Sequence, residues 1–326
     1  MKIGIIGNGS IVLAALSAFQ EAGIEVSALW CRNGEKGKPL QEQFGFEKLY
    51  TDYDAFLADD SFDTVYVGLV NSLHYSYTIK ALRCGKHAIV EKPFTITHAE
   101  AKDLVDTAKE NGVYVFEAIM SRYSQNLEKV REGIEQLGEV LSVQAVYAQY
   151  SRRYDAYREG KVMAAFDPRL SGGALYDLNI YNIHMMTALF GMPKKAEYIP
   201  FKGFNGVDLG GTLVLTYPGF QAALVADKHA AGKSGIVIAG RRGYLELPGR
   251  PGIIRKIVTC FDGEEGQIDC IQDGNPMTQE FRLIARVVDE KDEAQMDAWM
   301  EQSLQSAYIL DAARKSGGLV FAIDKE

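Results

Sequence analysis

The sequence predicts an α/β N-terminal domain with a doubly wound parallel sheet, followed by an α+β domain with a largely antiparallel, open-faced sheet. Residues 1–120 alternate short apolar runs with helical stretches, which is the pattern of βαβ units. After residue 120 the apolar runs follow one another with short turns, which is typical of antiparallel strands. The length of 326 residues also exceeds the ~250–300 at which a single core stops growing. We therefore predict two domains, residues 1–120 and 121–326, without a flexible linker.

The elements of the first domain alternate along the chain. Thr97 and Glu100 have the spacing of a capping box, which marks the start of a helix. Gly23, Gly85 and Gly112 follow three of the helical stretches, as glycines at helix ends do. The predicted strands are residues 3–6, 25–29, 64–70, 87–90 and 113–116, and the predicted helices include residues 11–22, 40–44, 76–82 and 97–111.

The second domain is predicted to consist mainly of strands. The strands are residues 139–150, 209–217, 221–229, 236–239, 244–247, 253–260 and a weaker 279–284, and the helices are residues 125–137 and 292–315. In the first of these strands neither face is strongly polar, because Val143, Ala145 and Tyr147 alternate with Gln144, Val146 and Ala148. Since large exposed apolar patches usually mark interfaces, we expect a homo-oligomer, specifically a dimer that packs through the C-terminal sheets.

The composition excludes several classes of protein. The net charge of −8 argues against nucleic acid as a partner, because phosphate binding needs clustered lysine and arginine. The four cysteines form no C-x-x-C pair and fit neither a zinc site nor a disulfide framework, so we expect free thiols and no metal. No apolar run approaches the ~18 residues of a membrane span, and the N-terminus lacks the long apolar stretch of a signal peptide. We expect a cytoplasmic protein without a membrane partner.

A glycine turn lies between the first strand and the first helix. Residues 7–12 read GNGSIV, and two glycines at this place permit a tight turn and a close approach of the backbone to a pyrophosphate. The turn therefore predicts a Rossmann dinucleotide site that uses Gly7, Asn8, Gly9, Ser10 and Ile11. Its third fingerprint position holds Val12 rather than glycine or alanine, so we expect helix and strand to pack slightly farther apart. A glycine turn without a ligand is the alternative interpretation.

The end of the second strand predicts the choice of cofactor. An NAD site places an acidic residue there to bind the ribose 2′-hydroxyl, whereas this chain has Cys31, Arg32 and Asn33. Arg32 can pair with a 2′-phosphate and stack on adenine, which favours NADP. Glu35 lies close enough in the sequence to keep NAD possible.

Lys92 follows the strand that is predicted to end at residue 90. The carboxyl ends of parallel strands meet at the ligand crevice, so we expect Lys92 beside a bound nicotinamide. A lysine in that position can donate to a substrate oxygen and shift its pKa.

Five short segments, in the same order, resemble motifs of the glucose–fructose oxidoreductase / inositol dehydrogenase / MocA family. The resemblance covers about residues 1–190, and the strand-rich remainder resembles the family only at the level of the fold. It implies that Asn71, His74, Glu91, Lys92 and Arg122 contact the cofactor. The segments are GNG at 7–9, VNSLH at 70–74, EKP at 91–93, EAIMSRY at 117–123 and SGGALYD at 171–177.

The last of these segments opens a helix with three chemically active side chains. Asp177, Tyr181 and His184 stand at i, i+4 and i+7, so we expect them on one face. The family pattern has glycine and histidine where this chain has Asn179 and Tyr181. A tyrosine at this position resembles the glucose–fructose oxidoreductase and dihydrodiol dehydrogenase branch, in which it is the proposed acid/base. The alternative interpretation is a structural polar cluster that anchors one domain to the other.

The resemblance implies NAD(P)-dependent hydride transfer to or from a carbon that bears a hydroxyl or carbonyl on a small sugar, polyol or dihydrodiol. Tyr181 would exchange the proton, Lys92 would stabilise the phenolate, and Asp177 would orient the substrate or Lys92. His184 is the second candidate for proton carrier, although relatives often have an acidic residue at its position. An iminosugar-like amine is a further possible substrate. A dinucleotide-binding regulatory or scaffold protein without turnover is the alternative function.

The segment 150–158, YSRRYDAYR, is rich in arginine and tyrosine. It either lines a sugar site, binds an anionic substituent, or is a solvated loop. His87, His98 and His229 are interpreted as surface or structural residues.

Overall fold

The computed structural model describes residues 1–271 and 274–325. By the contacts between residues the chain divides into two compact units. Unit 1 comprises Met1–Ala118 and Gly274–Leu304, and unit 2 comprises Ile119–Asp273 and Gln305–Glu326.

Unit 1 contains a six-stranded parallel sheet with the strand order β3-β2-β1-β4-β5-β6. This is the strand order of a Rossmann fold, so the predicted doubly wound parallel sheet is confirmed. The strands are β1 (Ile3–Ile6), β2 (Val26–Trp30), β3 (Lys48–Tyr50), β4 (Thr64–Val67), β5 (His87–Glu91) and β6 (Val115–Ala118). The helices between them are α1 (Ser10–Ala22), α2 (Gly34–Phe44), α3 (Tyr53–Leu57), α4 (His74–Arg83) and α5 (His98–Glu110).

The helix α5 begins as the sequence predicts. The Thr97 side chain accepts a hydrogen bond from the backbone N–H of Glu100, and the Glu100 carboxylate accepts one from the backbone N–H of Thr97. These two bonds satisfy donors that would otherwise be orphaned at the first turn.

Unit 2 contains an eight-stranded sheet with the strand order β14-β13-β12-β11-β7-β10-β9-β8. The sheet is antiparallel except for the pair β7–β10, so the largely antiparallel second sheet is confirmed. Its strands are β7 (Val140–Ala148), β8 (Lys195–Lys202), β9 (Asp208–Thr216), β10 (Gln221–Asp227), β11 (Gly235–Gly240), β12 (Gly243–Pro248), β13 (Ile257–Phe261) and β14 (Glu264–Ile268). The helices of its chain segments are α6 (Asn126–Gln136), α7 (Arg153–Arg158) and α8 (Ile180–Phe190).

The two faces of the eight-stranded sheet differ in burial. On β7 the side chains of Val143, Ala145 and Tyr147 are buried, whereas Gln144 is exposed and Val146 is half-buried. On the other face, half-buried valines of four neighbouring strands form an apolar stripe, made of Val146, Val214, Val225 and Val237. The exposed Gln144, which pairs with Val237, interrupts this stripe, so the face is apolar only in part.

The weak strand predicted at residues 279–284 is wrong, because these residues lie within the helix α9 (Pro276–Glu290). Its buried apolar residues are Met277, Phe281, Ile284 and Val287, and their spacing of three or four residues is helical rather than alternating. Asn275 caps the helix by accepting from the backbone N–H of Met277.

The helix α9 packs within unit 1. The ring of Phe281 stacks on the ring of Phe19 in α1, with centroids 4.0 Å apart. The Thr278 hydroxyl also donates to the carboxylate of Glu21. Residues 274–304 thus belong with residues 1–118, whereas the division at residue 120 assigns them to the second domain. The helix α10 (Glu293–Ser316) contributes residues to both units. None of the helices in the described part of the chain is long and apolar enough to cross a membrane.

Candidate active site

The glycine turn after β1 leaves the start of α1 open. A Cβ atom on Gly7, whose φ is +113°, would lie 2.6 Å from the carbonyl oxygen of Gly68, so only glycine fits. Around Gly9, the N-cap residue of α1, a Cβ would meet no atom within 4 Å, and no side chain caps the helix. Asn8, Gly9 and Ser10 are exposed, and the first turn has no acidic residue. The unoccluded N–H groups and helix dipole fit a dinucleotide phosphate.

Val12, the departure from the glycine fingerprint, is accommodated by a second glycine. Val12 is fully buried, and a Cβ on Gly68 would lie 2.6 Å from Cγ2 of Val12. Because Gly68, directly after β4, has no side chain, it leaves the space that the side chain of Val12 occupies. The branched side chain therefore packs against a bare backbone rather than against another side chain.

The three residues after β2 differ in the hydrogen bonds that their side chains form. Arg32 is exposed and forms no side-chain hydrogen bond or ion pair with any described residue. The Cys31 thiol is buried, donates to the carbonyl of Asn33 and has a pKa raised by burial, so it is a neutral interior group. Asn33 caps α2 by accepting from the N–H of Glu35. The thiol is therefore turned inward, and the predicted contact of Cys31 with the cofactor stays a prediction.

Glu35, the acidic residue that could favour NAD, forms an ion pair within its own helix. Its carboxylate lies 2.6 Å from the ammonium of Lys38, on the exposed side of α2.

Lys92 lies directly after β5 among buried polar groups. It is half-buried, and its charge acts on the neighbouring Glu91 and His74. The carboxyl group of Glu91 is buried and accepts from the Tyr66 hydroxyl at 2.7 Å, and burial raises its pKa. This carboxyl group is thus part of the interior of the sheet, and the predicted contact of Glu91 with the cofactor stays a prediction.

His74, at the start of α4, holds the turn that carries Lys92. Its Nδ1 lies 2.8 Å from the carbonyl oxygen of Pro93 and its Nε2 lies 3.2 Å from that of Leu69. The ring is 1% exposed, and burial lowers its pKa. Since both ring nitrogens face backbone carbonyls, His74 holds the backbone at Pro93 and Leu69 in place, and its predicted contact with the cofactor stays a prediction. Asn71 lies in the short 3₁₀ helix just before α4.

Glu117, in β6, supports the same turn from the other side. Its Oε1 accepts from the backbone N–H of Phe94 at 3.1 Å, and its Oε2 accepts from the Ser303 hydroxyl at 2.8 Å. The peptide Lys92–Pro93 is cis. The two residues that follow Lys92 are held by a buried histidine and a buried carboxylate, at Pro93 and Phe94.

The Gly-Gly turn of unit 2 is built around a buried carboxylate. Gly173 has φ +128°, and Asp208 accepts from the backbone N–H of Leu175 at 2.6 Å and from the Tyr198 hydroxyl at 2.8 Å. Burial raises the pKa of Asp208 to about 6. Asp208 therefore fixes the first turn of the helical segment that carries the predicted catalytic residues.

That segment begins with a π-helical turn, Leu175–Asn179, which continues into α8. Asp177 lies in the π turn, whereas Tyr181 and His184 lie in α8. Because π-helical hydrogen bonds run to the fifth residue, the turn changes the directions of the side chains relative to an α-helix. The predicted common face is accordingly only partial: Asp177 and Tyr181 stay partly exposed, while His184 is 1% exposed.

Asp177 forms an ion pair that the sequence did not reveal. Its Oδ2 lies 2.6 Å from Nζ of Lys228, a lysine directly after β10 that is itself 2% exposed. The two residues are 51 positions apart in the sequence. The local signal was a lysine directly after a strand whose central residues, 222–226, are apolar.

Tyr181 is packed by an aromatic ring and a glycine. Its ring meets that of Tyr147 edge-on, with centroids 5.6 Å apart. A Cβ on Gly252 would lie 2.9 Å from Cδ1 of Tyr181, so this glycine leaves room for the ring. These contacts fix the plane of the phenol and leave Tyr181 half-buried.

His184 belongs to a buried polar network. Its Nδ1 lies 3.1 Å from the Ser306 hydroxyl and 3.4 Å from Nη2 of Arg122, and Ser306 lies 3.0 Å from the Thr187 hydroxyl. Arg122 is 7% exposed. Such burial argues against His184 as a proton carrier, since a general acid must reach the substrate. It also argues against a direct contact of Arg122 with the cofactor.

The segment 150–158 separates its two residue types. Tyr157 is buried and packs with Phe166, and Tyr154 contacts both rings. The three arginines at 152, 153 and 158 are exposed. Tyr154 and Tyr157 therefore contribute to an aromatic core, whereas Tyr150 and the three arginines are exposed.

The site residues thus fall into two groups. Unit 1 holds the glycine turn, Arg32 and Lys92, and unit 2 holds Asp177 and Tyr181. Sequence reasoning missed the residues that support these groups, namely Gly68, Ser303, Asp208, Lys228 and Gly252.

Comparison with known proteins identifies the family. Residues 1–119 match the family model described as the NAD-binding Rossmann fold of the GFO/IDH/MocA oxidoreductase family, and residues 127–246 match the GFO/IDH/MocA C-terminal domain. The chain belongs to this family. The resemblance of its motifs is thereby confirmed, and the protein is an oxidoreductase; nothing in these matches supports a scaffold protein without turnover.

Curated relatives match the whole chain or most of it. The chain is 31% identical to the scyllo-inositol 2-dehydrogenase (NADP(+)) IolU of Bacillus subtilis, over 100% of this chain and 99% of the relative. It is 29% identical to the trans-1,2-dihydrobenzene-1,2-diol dehydrogenase of Xenopus tropicalis, over 85% of this chain and 83% of the relative.

A solved structure matches both units. The ketoreductase KijD10 of Actinomadura kijaniata, in complex with NADP and TDP-benzene, is 25% identical and superposes with a TM-score of 0.86 over 97% of each chain. Solved structures of this ketoreductase include a lysine-to-alanine and a tyrosine-to-phenylalanine variant.

Proposed function

We propose that the protein transfers a hydride between NADP and a hydroxyl- or carbonyl-bearing carbon of a small polyhydroxylated substrate, such as a sugar, a polyol or a dihydrodiol. The observation that carries the proposal is the partly exposed pair Asp177 and Tyr181 on the segment that Asp208 anchors. The named activities of the relatives on inositol and on a dihydrodiol support the same substrate class.

The choice of NADP rests on Arg32. Its exposed guanidinium has no partner among the described residues, whereas Glu35 is paired with Lys38. A guanidinium binds a phosphate through charge-assisted hydrogen bonds. The NADP(+) dependence named for IolU and the NADP bound to KijD10 agree with this choice.

Tyr181 is the proposed proton carrier. The nicotinamide supplies or accepts the hydride when bound, and the phenol moves the proton of the substrate oxygen. An ordinary phenol has a pKa of about 10, so a nearby cation must stabilise its anion near neutral pH. Lys92 is proposed for that role, which requires that Lys92 and Tyr181 reach the same substrate oxygen.

Asp177 is proposed to orient the substrate. His184 and Arg122 are proposed to position α8 from inside unit 2.

We propose that residues 1–120 hold the dinucleotide and that residues 121–326 carry the substrate site and the oligomer interface, in a cytoplasmic enzyme. The contacts of Asn8, Gly9, Ser10 and Ile11 with the cofactor are proposed to be made mainly by the backbone, since glycine is required at position 7 and no side chain caps α1.

The proposed oligomer is a homodimer formed through the half-buried face of the eight-stranded sheet. The apolar stripe on that face includes Val225, which pairs with Val146 across the central strands. Val225→Glu should give a monomer in light scattering, while Val320→Glu, at a residue 57% exposed outside the sheet, should leave a dimer. A monomeric parent protein at micromolar concentration would contradict the proposal.

The activity itself is tested with a panel of polyols, sugars and dihydrodiols. With NADP and scyllo-inositol, D-xylose or trans-dihydrobenzenediol, we expect reduction of the cofactor by at least one substrate class. Oxidation of NADPH by the matching ketones would be the same reaction in reverse and would also support the proposal. Binding of NADP with neither its reduction by any alcohol of the panel nor oxidation of NADPH by the matching ketones would count against it.

A further inference from the structure

A lysine in the interior of unit 2 contacts Asp177 without being accessible itself. The Nζ atom of Lys228 lies 2.6 Å from Oδ2 of Asp177 and donates to the carbonyl oxygen of Ala165 at 2.9 Å. It also lies 4.8 Å from the ring centroid of Phe166. The exposed fraction is 2% for the Lys228 side chain and 39% for that of Asp177, so a ligand can reach the pair only from the side of Asp177.

The backbone of Lys228 is held on both sides. Its N–H donates to the carbonyl of Leu209 at 2.8 Å, and its own carbonyl accepts from the N–H of Ser151 at 2.9 Å. The backbone of Lys228 is thus fixed, and its ammonium group lies beside the turn Ala164–Phe166, which precedes the Gly-Gly segment. A long, flexible side chain loses most of its freedom in such a site, which favours one orientation of its partner.

Two other carboxylates, those of Asp208 and Asp227, have hydrogen-bond or ion-pair partners of their own. The charge of Lys228 acts to lower the pKa of Asp208 on β9, but the carboxylate of Asp208 accepts hydrogen bonds from Leu175 and Tyr198 instead. On the far side of Lys228, Asp227 lies 2.6 Å from His229. Asp177 is therefore the carboxylate to which Lys228 donates directly.

We propose that Lys228 is a positioning residue for the reaction: it keeps Asp177 ionised and fixes the orientation of its carboxylate for the substrate. This inference rests on the proposed function, because it assigns Asp177 to substrate orientation. Lys228 does not touch the substrate; it acts through Asp177. A buried cation next to a half-exposed carboxylate disfavours protonation of that carboxylate, and the fixed Nζ atom sets its orientation.

The kinetic test compares Lys228→Met, Lys228→Arg and Asp177→Asn with a matched control. Lys86 is also buried and donates to two carbonyls, those of Asp59 and Phe62, with the Phe62 ring 4.8 Å away, but it has no role in the proposed reaction. Lys228→Met should lower kcat by about ten- to a hundredfold, and the acidic limb of the kcat/KM profile should move up by about one to three pH units.

Lys228→Arg should restore most of the turnover, because the positive charge returns. Lys86→Met should lower Tm without moving the pH profile. A folded Lys228→Met protein with the parent's kcat and acidic limb would overturn the inference. If Asp177→Asn loses activity while Lys228→Met does not, the inference fails and the proposed function stands.

A second measurement does not depend on turnover. In carboxyl ¹³C NMR, the resonance that disappears in Asp177→Asn identifies Asp177. Its titration midpoint should be higher in Lys228→Met than in the parent protein, and unchanged in Lys86→Met. An unchanged midpoint in Lys228→Met would overturn the inference even if no substrate is found; a raised midpoint together with an inactive parent protein would support the pair and count against the proposed function.

Discussion

Gly173 and Asp208 are so close that a Cβ atom on Gly173 would lie 1.9 Å from Oδ1 of Asp208. The glycine also has φ +128°, a conformation that other residues rarely adopt. Together these facts tie the start of the catalytic segment to one residue of β9.

Gly173→Ala should therefore destabilise the protein by roughly 2–4 kcal/mol, through backbone strain and displacement of a buried carboxylate. Gly138, with φ +69° and open space around it, is the control. Gly138→Ala should cost only about 1 kcal/mol in urea unfolding, since it has the strain without the clash. Equal losses for the two variants would show that the contact with Asp208 is unimportant.

Asp208 should make stability depend on pH. Burial raises its pKa to about 6 from the ordinary 3.8, so between these values the folded state binds more protons than the unfolded state. The free energy of unfolding contributed by this group therefore falls as the pH rises through that interval, by on the order of 2–3 kcal/mol. Asp208→Asn should remove this slope in urea unfolding between pH 4 and pH 7, whatever its effect on the absolute stability. The same slope in the variant would contradict the assignment.

Gly68 should be required because of Val12. Gly68→Ala should lower both Tm and the affinity for NADP, since the added methyl group pushes α1 away from the sheet. Val12→Ala in the same chain should restore part of both losses, because it frees the space that the methyl group needs. Losses that simply add in the double variant would show that the two positions are independent.

Arg32 should decide the cofactor. Loss of one charge-assisted contact costs ~1.5–3 kcal/mol, so Arg32→Ala should weaken NADP binding about ten- to a hundredfold and spare NAD. Lys36→Ala removes another exposed charge, on α2, and should change neither affinity by more than a few fold. Calorimetric titration with both cofactors measures this, and a parent protein that prefers NAD would contradict it.

The sequence predicted the interiors of both sheets well and their edges poorly. The strands β3, β8 and β14 were not predicted, and each lies at an edge of its sheet. Edge strands are short or polar, and β8 even contains Pro200, so they lack the apolar pattern by which strands are recognised. The helix α9 was mistaken for a strand over residues 279–284 because its few apolar residues were read without the neighbouring positions of the helical repeat.

For the site, the motifs identified residues that can contact a ligand, but they did not identify the residues that fix those side chains in place. Lys92, Asp177 and Tyr181 lie in or next to recognisable motifs. Lys228 and Gly252 lie far away in the sequence, and only folding brings them next to Asp177 and Tyr181, respectively. The internal hydrogen bonds of the side chains of Cys31, Glu91 and His74 were missed for the same reason, since a motif does not show which way a side chain points.

The central claim is that Tyr181 carries the proton and Lys92 assists it. The direct test measures kcat, NADP affinity and Tm on the parent protein, Tyr181→Phe, Lys92→Ala and the control Tyr217→Phe, which removes another buried hydroxyl that donates to Gly191. The account predicts that kcat falls by about 10²–10⁴-fold in Tyr181→Phe, and at least as far in Lys92→Ala. It predicts that NADP affinity stays nearly unchanged in Tyr181→Phe and that Tyr217→Phe keeps its turnover. A folded Tyr181→Phe protein with near-normal kcat would contradict it.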